Sequence, residues 1–318
     1  MKVVCDVHIP YIAEALRSIA EVIELEPEAI TAEAVRDADG LIIRTRTKAD
    51  STLLDGSRVQ FIATATIGYD HIDTAYCAEH NIHWVSCPGC NAQAVCDYIE
   101  EAFEEYRQIT NTPKDKKLTV GIVGVGHVGS LVAKMAARKG YQVLLNDPPK
   151  KLGVSLDEIG DKCDFITFHT PLTKEGEYPT YHLCDRLFLA HCKPGALIVN
   201  AARGGVVDEL ALVESGHPFI IDTWEGEPCI NRAVVEKAEL ASFHIAGYSA
   251  EGKFNASQMC LAAFCQHFGT PILSIDKKVV SLQAQYGDTA PGWLKRVSDQ
   301  LKAAPEQFEQ LRKQYKLR

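Results

Sequence analysis

No apolar run in this 318-residue sequence approaches the ~20 residues that a membrane-spanning helix needs. Nor does the N-terminus resemble a secretory leader: MKVVCDVHIP goes straight into a strand-like pattern. Basic residues are the minority. With 33 Lys and Arg against 42 Asp and Glu, the net charge is −9, which argues against a general binder of nucleic acid or anionic membrane and leaves room only for a local basic pocket. Internal repeats and low-complexity tracts are missing as well. The eleven cysteines are scattered and odd in number, so reduced thiols and a cytoplasmic location are expected. Cys87-Pro-Gly-Cys90 has the spacing of a redox motif, but nothing around it reads as a small redox domain. It is taken as a Pro-Gly turn with two incidental thiols. No metal ligand set is assigned.

What is present is ordinary globular composition, 46% hydrophobic and 24% charged, in a chain long enough for two domains. Short apolar runs alternate with helical patterns, which predicts an α/β fold. VVCDV, EVIEL, GLIIRT, FIATAT and HWVSC read as strands, with helical stretches between some of them, such as residues 11–20. The pattern then changes. Ala94, Val95, Tyr98, Ile99, Ala102, Phe103, Tyr106 and Ile109 recur at helical spacing over 91–110, with Glu100, Glu101, Glu104 and Glu105 expected on the solvated side. The polar stretch NTPKDKK follows as a boundary. A second α/β unit starts at Leu118, with LTVGIV, QVLLN, FITFH, ALIVN, FIID and SFHIA as its strands. From about Phe254 the chain reads as helical, ending in PEQFEQLRKQYKLR.

Residues 121–129, GIVGVGHVG, contain G-x-G-x-x-G between a strand and a helix, and a second strand ends at Asp147 about 20 residues on. That context is what a dinucleotide site requires. Gly124 makes the tight turn, Gly126 lets the backbone approach a pyrophosphate, and Gly129 lets helix and strand pack. The helix N-terminus, at His127 and Val128, favours the phosphate charge; the His127 side chain itself is read as incidental. A carboxylate at 147 suits a ribose diol and repels a 2′-phosphate, so NAD is expected rather than NADP. Other polar residues fall at or just after strand ends, where ligands sit in open parallel sheets: Thr170, Arg203, Asp222 and His244. Gly204 and Gly205 are expected to leave the Arg203 side chain room.

Hydride transfer from a hydroxyl needs a base, a cation to hold the substrate and a group to tune the base. Histidine, arginine and a carboxylate are suited to those tasks. With NAARGGVVDE, IIDTWEGEP and FHIAGYSAEGK in that order after the glycines, the chain resembles the D-2-hydroxyacid dehydrogenases. The resemblance implies a Rossmann-type NAD-binding domain, a flavodoxin-like substrate domain and a short helical C-terminal segment. It makes Arg203 the substrate-orienting cation, His244 the proton carrier and Glu227, not Glu225, its partner. CDVHIPY, FIATATIGYDHID, SCPGCNAQAV and FHTPLTKEGEYPTYHL narrow the match to a branch acting on a phosphorylated four-carbon 2-hydroxy acid. On that branch Thr45, Thr66 and Tyr248 contact substrate, and Asp147, Thr170, Ala201, Ala202, Arg203, Asp222 and Gly247 line the NAD site.

A substrate charged at both ends needs donors beyond Arg203. Arg46 and Lys48, in the basic stretch RTRTK, fit either a phosphate site or a solvated turn, and Lys253 is a third candidate. His71 fits a local bond. In the C-terminal helix, Arg312, Lys313 and Arg318 could reach a phosphate; the alternative, which is favoured, is an amphipathic helix with Phe308, Leu311 and Tyr315 packed inward. The expected division is residues 1–92 for substrate, 93–253 for NAD and 254–318 returning to the substrate domain, with a cleft and a hinge near Asn91. The family resemblance suggests a homodimer, though the C-terminal region is short for it. Two competing readings stay open: another phosphorylated-hydroxyacid dehydrogenase, such as one acting on 3-phosphoglycerate, and a non-catalytic NAD-sensing protein on the same fold.

Overall fold

The computed structural model describes residues 1–113, 115–276 and 289–317. The chain forms two compact units. One comprises Met1–Asn91 together with the segment from Ser249; the other comprises Ala92–Tyr248 together with the C-terminal helices.

The first unit is a five-stranded parallel sheet of β1 (Lys2–Asp6), β2 (Glu21–Leu25), β3 (Gly40–Ile43), β4 (Phe61–Thr64) and β5 (His83–Val85). Their order is β2-β1-β3-β4-β5, the flavodoxin-like arrangement. The continuous apolar runs follow from burial on both faces. Alternate residues divide accordingly: Val3, Cys5, Ile42, Phe61 and Ala63 enter one core, while Val4, Leu41, Ile43 and Ile62 enter the other. The first of these cores is closed by the Ala250–Phe268 helix, whose Phe264 ring meets Phe61 edge-on at 5.8 Å between centroids. Cys87 is buried in the same core, its thiol 3.5 Å from that of Cys260, and all eleven cysteines are free. His71 does bond locally, Nε2 lying 3.0 Å from the Thr64 hydroxyl.

The second unit adds β6 (Thr119–Val123), β7 (Gln142–Asp147), β8 (Leu152–Gly153), β9 (Phe165–Phe168), β10 (Leu197–Asn200), β11 (Phe219–Ile221) and β12 (Leu240–Ala241). The order is β12-β11-β10-β9-β6-β7-β8, parallel except for the β7–β8 pair. This is a Rossmann-type sheet whose order reverses between β6 and β9, so the loops after those two strands flank the switch point.

Two expectations change here. SFHIA is not a strand: β12 ends at Ala241, and although the Ser242 and His244 N–H groups still donate to the Ile221 and Asp222 carbonyls, the backbone bends at His244. The Asp222 carboxylate takes the Ile245 and Ala246 N–H groups, and His244 sits at φ 58°, which no strand allows. Second, the acids of the long helix, Ala92–Ile109, are not all solvated. Glu105 is 4% exposed, accepting the Lys295 N–H at 3.1 Å, and Glu101 accepts that of Gly292 at 3.2 Å. They satisfy orphan donors at the start of the Trp293–Ala303 helix, which lands on this side of the Ala92–Ile109 helix. Glu100 and Glu104 instead hold Lys139 at 2.8 Å. In the final helix, Phe308–Gln314, Phe308 is 1% exposed, and Leu311 and Tyr315 pack on the same core, so the amphipathic reading holds. Arg318 lies outside the described residues.

Candidate active site

The loop after β6 turns on Gly124, at φ 86°. A Cβ there would lie 2.9 Å from both the His169 carbonyl and the Thr170 side chain, so no other residue fits. Gly129 is equally constrained, since its Cβ would overlap the Gly124 carbonyl oxygen. Gly126 is different. Its φ of −80° suits any residue, and a Cβ would meet nothing within 4 Å. The protein's own packing therefore does not require this glycine, whereas a ligand lying against the backbone would. Asp147, at the end of β7, accepts the Val125 N–H on Oδ2 at 2.8 Å, and Lys150 approaches the same oxygen at 3.7 Å. Its Oδ1 accepts no hydrogen bond among the described residues. Thr170, after β9, has a buried hydroxyl with no partner among the described residues. An open cradle, a carboxylate oxygen and an orphan hydroxyl around one switch point fit a dinucleotide. His127 is exposed and starts the helix with Val128. Beside Thr170, His169 has its pKa pushed down to about 3 by burial, so it stays neutral.

Beyond β10, Asn200 braces the turn that carries Ala201, Ala202 and Arg203. Its Oδ1 accepts the Ala202 N–H at 3.1 Å, and its Nδ2 donates to the Arg203 carbonyl at 3.0 Å. The Arg203 guanidinium donates to the Ala202 carbonyl at 2.7 Å and makes no ion pair among the described residues. The following glycines serve a purpose other than leaving it room. A Cβ on Gly204 would overlap the Trp224 carbonyl oxygen, and Gly205 is at φ 84°.

That close approach ties the Arg203 turn to the loop after β11. The Trp224 N–H donates to Glu227 Oε1 at 2.8 Å, and the other oxygen, Oε2, lies 2.7 Å from His244 Nδ1. A proton on Nδ1 satisfies this contact and leaves Nε2, which has no partner among the described residues, as the basic nitrogen. Asp222 holds the histidine segment. Its carboxylate, 1% exposed, accepts the Ser242 hydroxyl at 2.6 Å and two backbone N–H groups at 2.8 and 2.9 Å. Tyr98 donates to Ser242 in turn, and Trp224 Nε1 donates to the Ser242 carbonyl at 2.7 Å. Glu209 Oε1 accepts the Glu225 N–H at 2.6 Å from a site only 3% exposed. Burial, with Glu225, Glu227 and Asp208 nearby, raises its pKa to about 7. Asn200 Nδ2 also reaches the Thr223 carbonyl at 3.4 Å, and Asn200, Glu209 and Trp224 escape a sequence reading because each makes a bond to a segment remote in sequence.

Gly247 and Tyr248 follow the histidine. The Tyr248 ring lies under the Arg312 guanidinium, 5.4 Å from its centroid. In the first unit, Thr45 and Arg46 are exposed after β3, and Lys48 is held 2.9 Å from Asp50. Thr66 donates to the Gly68 carbonyl at 2.9 Å and touches the Thr64 hydroxyl at 2.6 Å. Lys253 lies in the first turn of the Ala250–Phe268 helix. Among the described residues, no cluster of His, Cys, Asp or Glu could hold a metal ion, and no helix is long and apolar enough to cross a membrane.

Comparison with known proteins agrees with this arrangement. Residues 92–246 match the family model for the D-isomer specific 2-hydroxyacid dehydrogenase, NAD binding domain. The whole chain is similar to the erythronate-4-phosphate dehydrogenase of Bacteroides fragilis, 48% identical over 337 aligned positions covering 100% of this chain and 97% of that protein. Among solved structures it resembles the TT0316 protein of Thermus thermophilus, with a TM-score of 0.72 and 27% identity over 86% of this chain and 98% of that one. It also resembles the NAD⁺-bound 3-phosphoglycerate dehydrogenase of Entamoeba histolytica, with a TM-score of 0.69 and 26% identity over 87% of this chain and 98% of that one.

Proposed function

This chain belongs to the erythronate-4-phosphate dehydrogenase family of D-isomer specific 2-hydroxyacid dehydrogenases, and from that premise we propose that it oxidises 4-phospho-D-erythronate to 2-oxo-3-hydroxy-4-phosphobutanoate with NAD⁺, a step in pyridoxal 5′-phosphate biosynthesis. The observation that carries the chemistry is the His244–Glu227 pair at 2.7 Å, with Nε2 of the histidine uncommitted.

When bound, NAD⁺ would supply the acceptor for the hydride leaving C2 of the substrate. The second unit is the NAD-binding domain. Gly124, Gly126, Val128 and Gly129 would hold the pyrophosphate at the loop, and the Asp147 carboxylate would accept from the ribose diol. Thr170, Ala201, Ala202, Asp222 and Gly247 line the rest of the site. His244 Nε2 removes the hydroxyl proton as hydride leaves, and the imidazolium so formed is stabilised by Glu227 across Nδ1–H. Arg203 holds the substrate carboxylate through its fork of donors and stabilises charge on the C2 oxygen. Its lack of a carboxylate partner among the described residues supports this role. Glu225 is left out of the reaction: its side chain bonds Tyr181 and His182, both at 3.1 Å. Thr45, Thr66 and Tyr248 contact the substrate, and the first unit is the substrate domain. The family reading carries a homodimer and a cytoplasmic location with it. Light scattering at twice the chain mass would bear out the dimer.

The test is turnover with NAD⁺ on 4-phospho-D-erythronate, D-erythronate and 3-phosphoglycerate in parallel, with a 2-oxo acid added to reoxidise a cofactor that stays bound. Strong preference for the first is expected. Preference for 3-phosphoglycerate would move the protein to another branch of the family, and no turnover on any would favour a sensing role.

A further inference from the structure

The Ala250–Phe268 helix has a lysine in its first turn, the positive end of the macrodipole, where acids are favoured. Among the described residues the Lys253 side chain has no hydrogen bond or ion pair, and Glu251 in the same turn does not reach it. The charge it does feel is of its own sign. Desolvation by the atoms crowding it and the nearby Arg44 guanidinium both lower its pKa, although the residue as a whole remains exposed and an anion can reach it. Such a lysine is unfavourably placed in the protein alone and becomes favourable when an anion arrives.

The helix that carries Lys253 is tied to the loop after β1, the Ser257 hydroxyl donating to the Pro10 carbonyl at 2.7 Å, and Arg44 stands at the end of the neighbouring strand β3. The Arg44 Nε and Nη2 donate to the two oxygens of Asp6 at 2.8 and 3.1 Å. Asp6, the last residue of β1, has a fully buried side chain. This fork fixes the guanidinium plane and leaves the Nη1 edge uncommitted. Asp6 neutralises Arg44, and Lys253 has no carboxylate of its own among the described residues, so a positive charge is left over near the carboxyl ends of the adjacent parallel strands β1 and β3, where ligands bind. Of the other cations after β3, Lys48 is already paired with Asp50.

We propose that Lys253 and Arg44 form the seat for the phosphate end of the substrate, with Asp6 as the positioning residue that aims Arg44. The inference rests on the reading that the substrate is phosphorylated. Lys253 donates as a point charge and Arg44 through its free edge, and the phosphate oxygens accept.

The experiment compares kcat/KM for 4-phospho-D-erythronate and D-erythronate in the wild type, K253M, K253R and R44K. R44K keeps a cation for Asp6, which R44M would leave buried and unpaired. Loss of one charge-assisted hydrogen bond is expected to cut the preference for the phosphorylated acid by about 10- to 100-fold in K253M and R44K, with K253R retaining most of it. Wild-type preference that survives in both K253M and R44K to within about twofold would overturn the seat. Inorganic phosphate, titrated by thermal shift into wild type and K253M, reads the seat without the substrate. A stabilisation in the wild type that K253M loses supports it even if the assigned substrate is wrong; equal responses overturn it.

Discussion

Glu209 is a buried acid whose protonation should be readable in stability. It is 3% exposed, and its pKa rises from 4.5 to about 7, mainly through desolvation and also through Glu225, Glu227 and Asp208. A carboxyl group whose folded pKa exceeds its unfolded value contributes stability below about pH 4.5, and that contribution is lost as pH rises through about 7. Integrated over a shift of that size, the raised pKa of Glu209 costs the native state about 1 kcal/mol at pH 5, where only the unfolded chain ionises, and about 3 kcal/mol at pH 8. A glutamine in place of Glu209 would keep an oxygen to accept the Glu225 N–H but cannot ionise. The variant E209Q is therefore expected to gain on the wild type by about 2 kcal/mol between pH 5 and pH 8. Urea unfolding of both proteins at half-unit steps across that range measures the difference, and titrations shared by the two cancel. A difference that stays flat across the range, or that falls as pH rises, would refute the claim that Glu209 carries a proton near neutrality.

The remaining predictions concern the site and its scaffold. H244A should lower kcat by about 10²- to 10⁴-fold while NADH affinity, read by fluorescence, stays close to that of the wild type; near-normal turnover would remove His244 from the mechanism. G126A and G129A should separate cleanly. Gly126→Ala meets open space, so the melting temperature should hold while NADH affinity drops at least tenfold, by about 1.4 kcal/mol or more. Gly129→Ala drives a methyl into the Gly124 carbonyl and should lower the melting temperature as well. Glu105, whose pKa burial raises to about 7, gives the same linkage at the C-terminal helices: E105Q should gain on the wild type as pH rises through 7 in the same urea series, and a pH-independent difference would refute that.

Much of the fold is legible in the sequence because both sheets are buried on both faces, so their strands appear as short apolar runs. The glycine loop is legible because its constraints are local: Gly124, Gly129 and Asp147 act within about 25 residues of one another. Longer-range features are not. SFHIA reads as a strand because an apolar run reports burial and not extension, and the carboxylate that turns it aside is 20 residues upstream. Glu105 reads as solvated because helical periodicity cannot show that a helix 190 residues later starts against it. Gly204 reads as serving Arg203, its sequence neighbour, when the atom that demands it belongs to Trp224. The bracing of the catalytic loops by Asn200, Glu209 and Trp224 likewise depends on contacts that only the folded chain brings together.

Oxidation at C2 in this site requires direct transfer of the C2 hydrogen as hydride to the nicotinamide. The measurement that tests it most directly uses 4-phospho-D-erythronate deuterated at C2, incubated with the protein and NAD⁺, with the reduced cofactor analysed by mass spectrometry. Each molecule of reduced cofactor is expected to carry one deuterium on its nicotinamide. Reduced cofactor without deuterium, or no reduction at all, would contradict direct transfer.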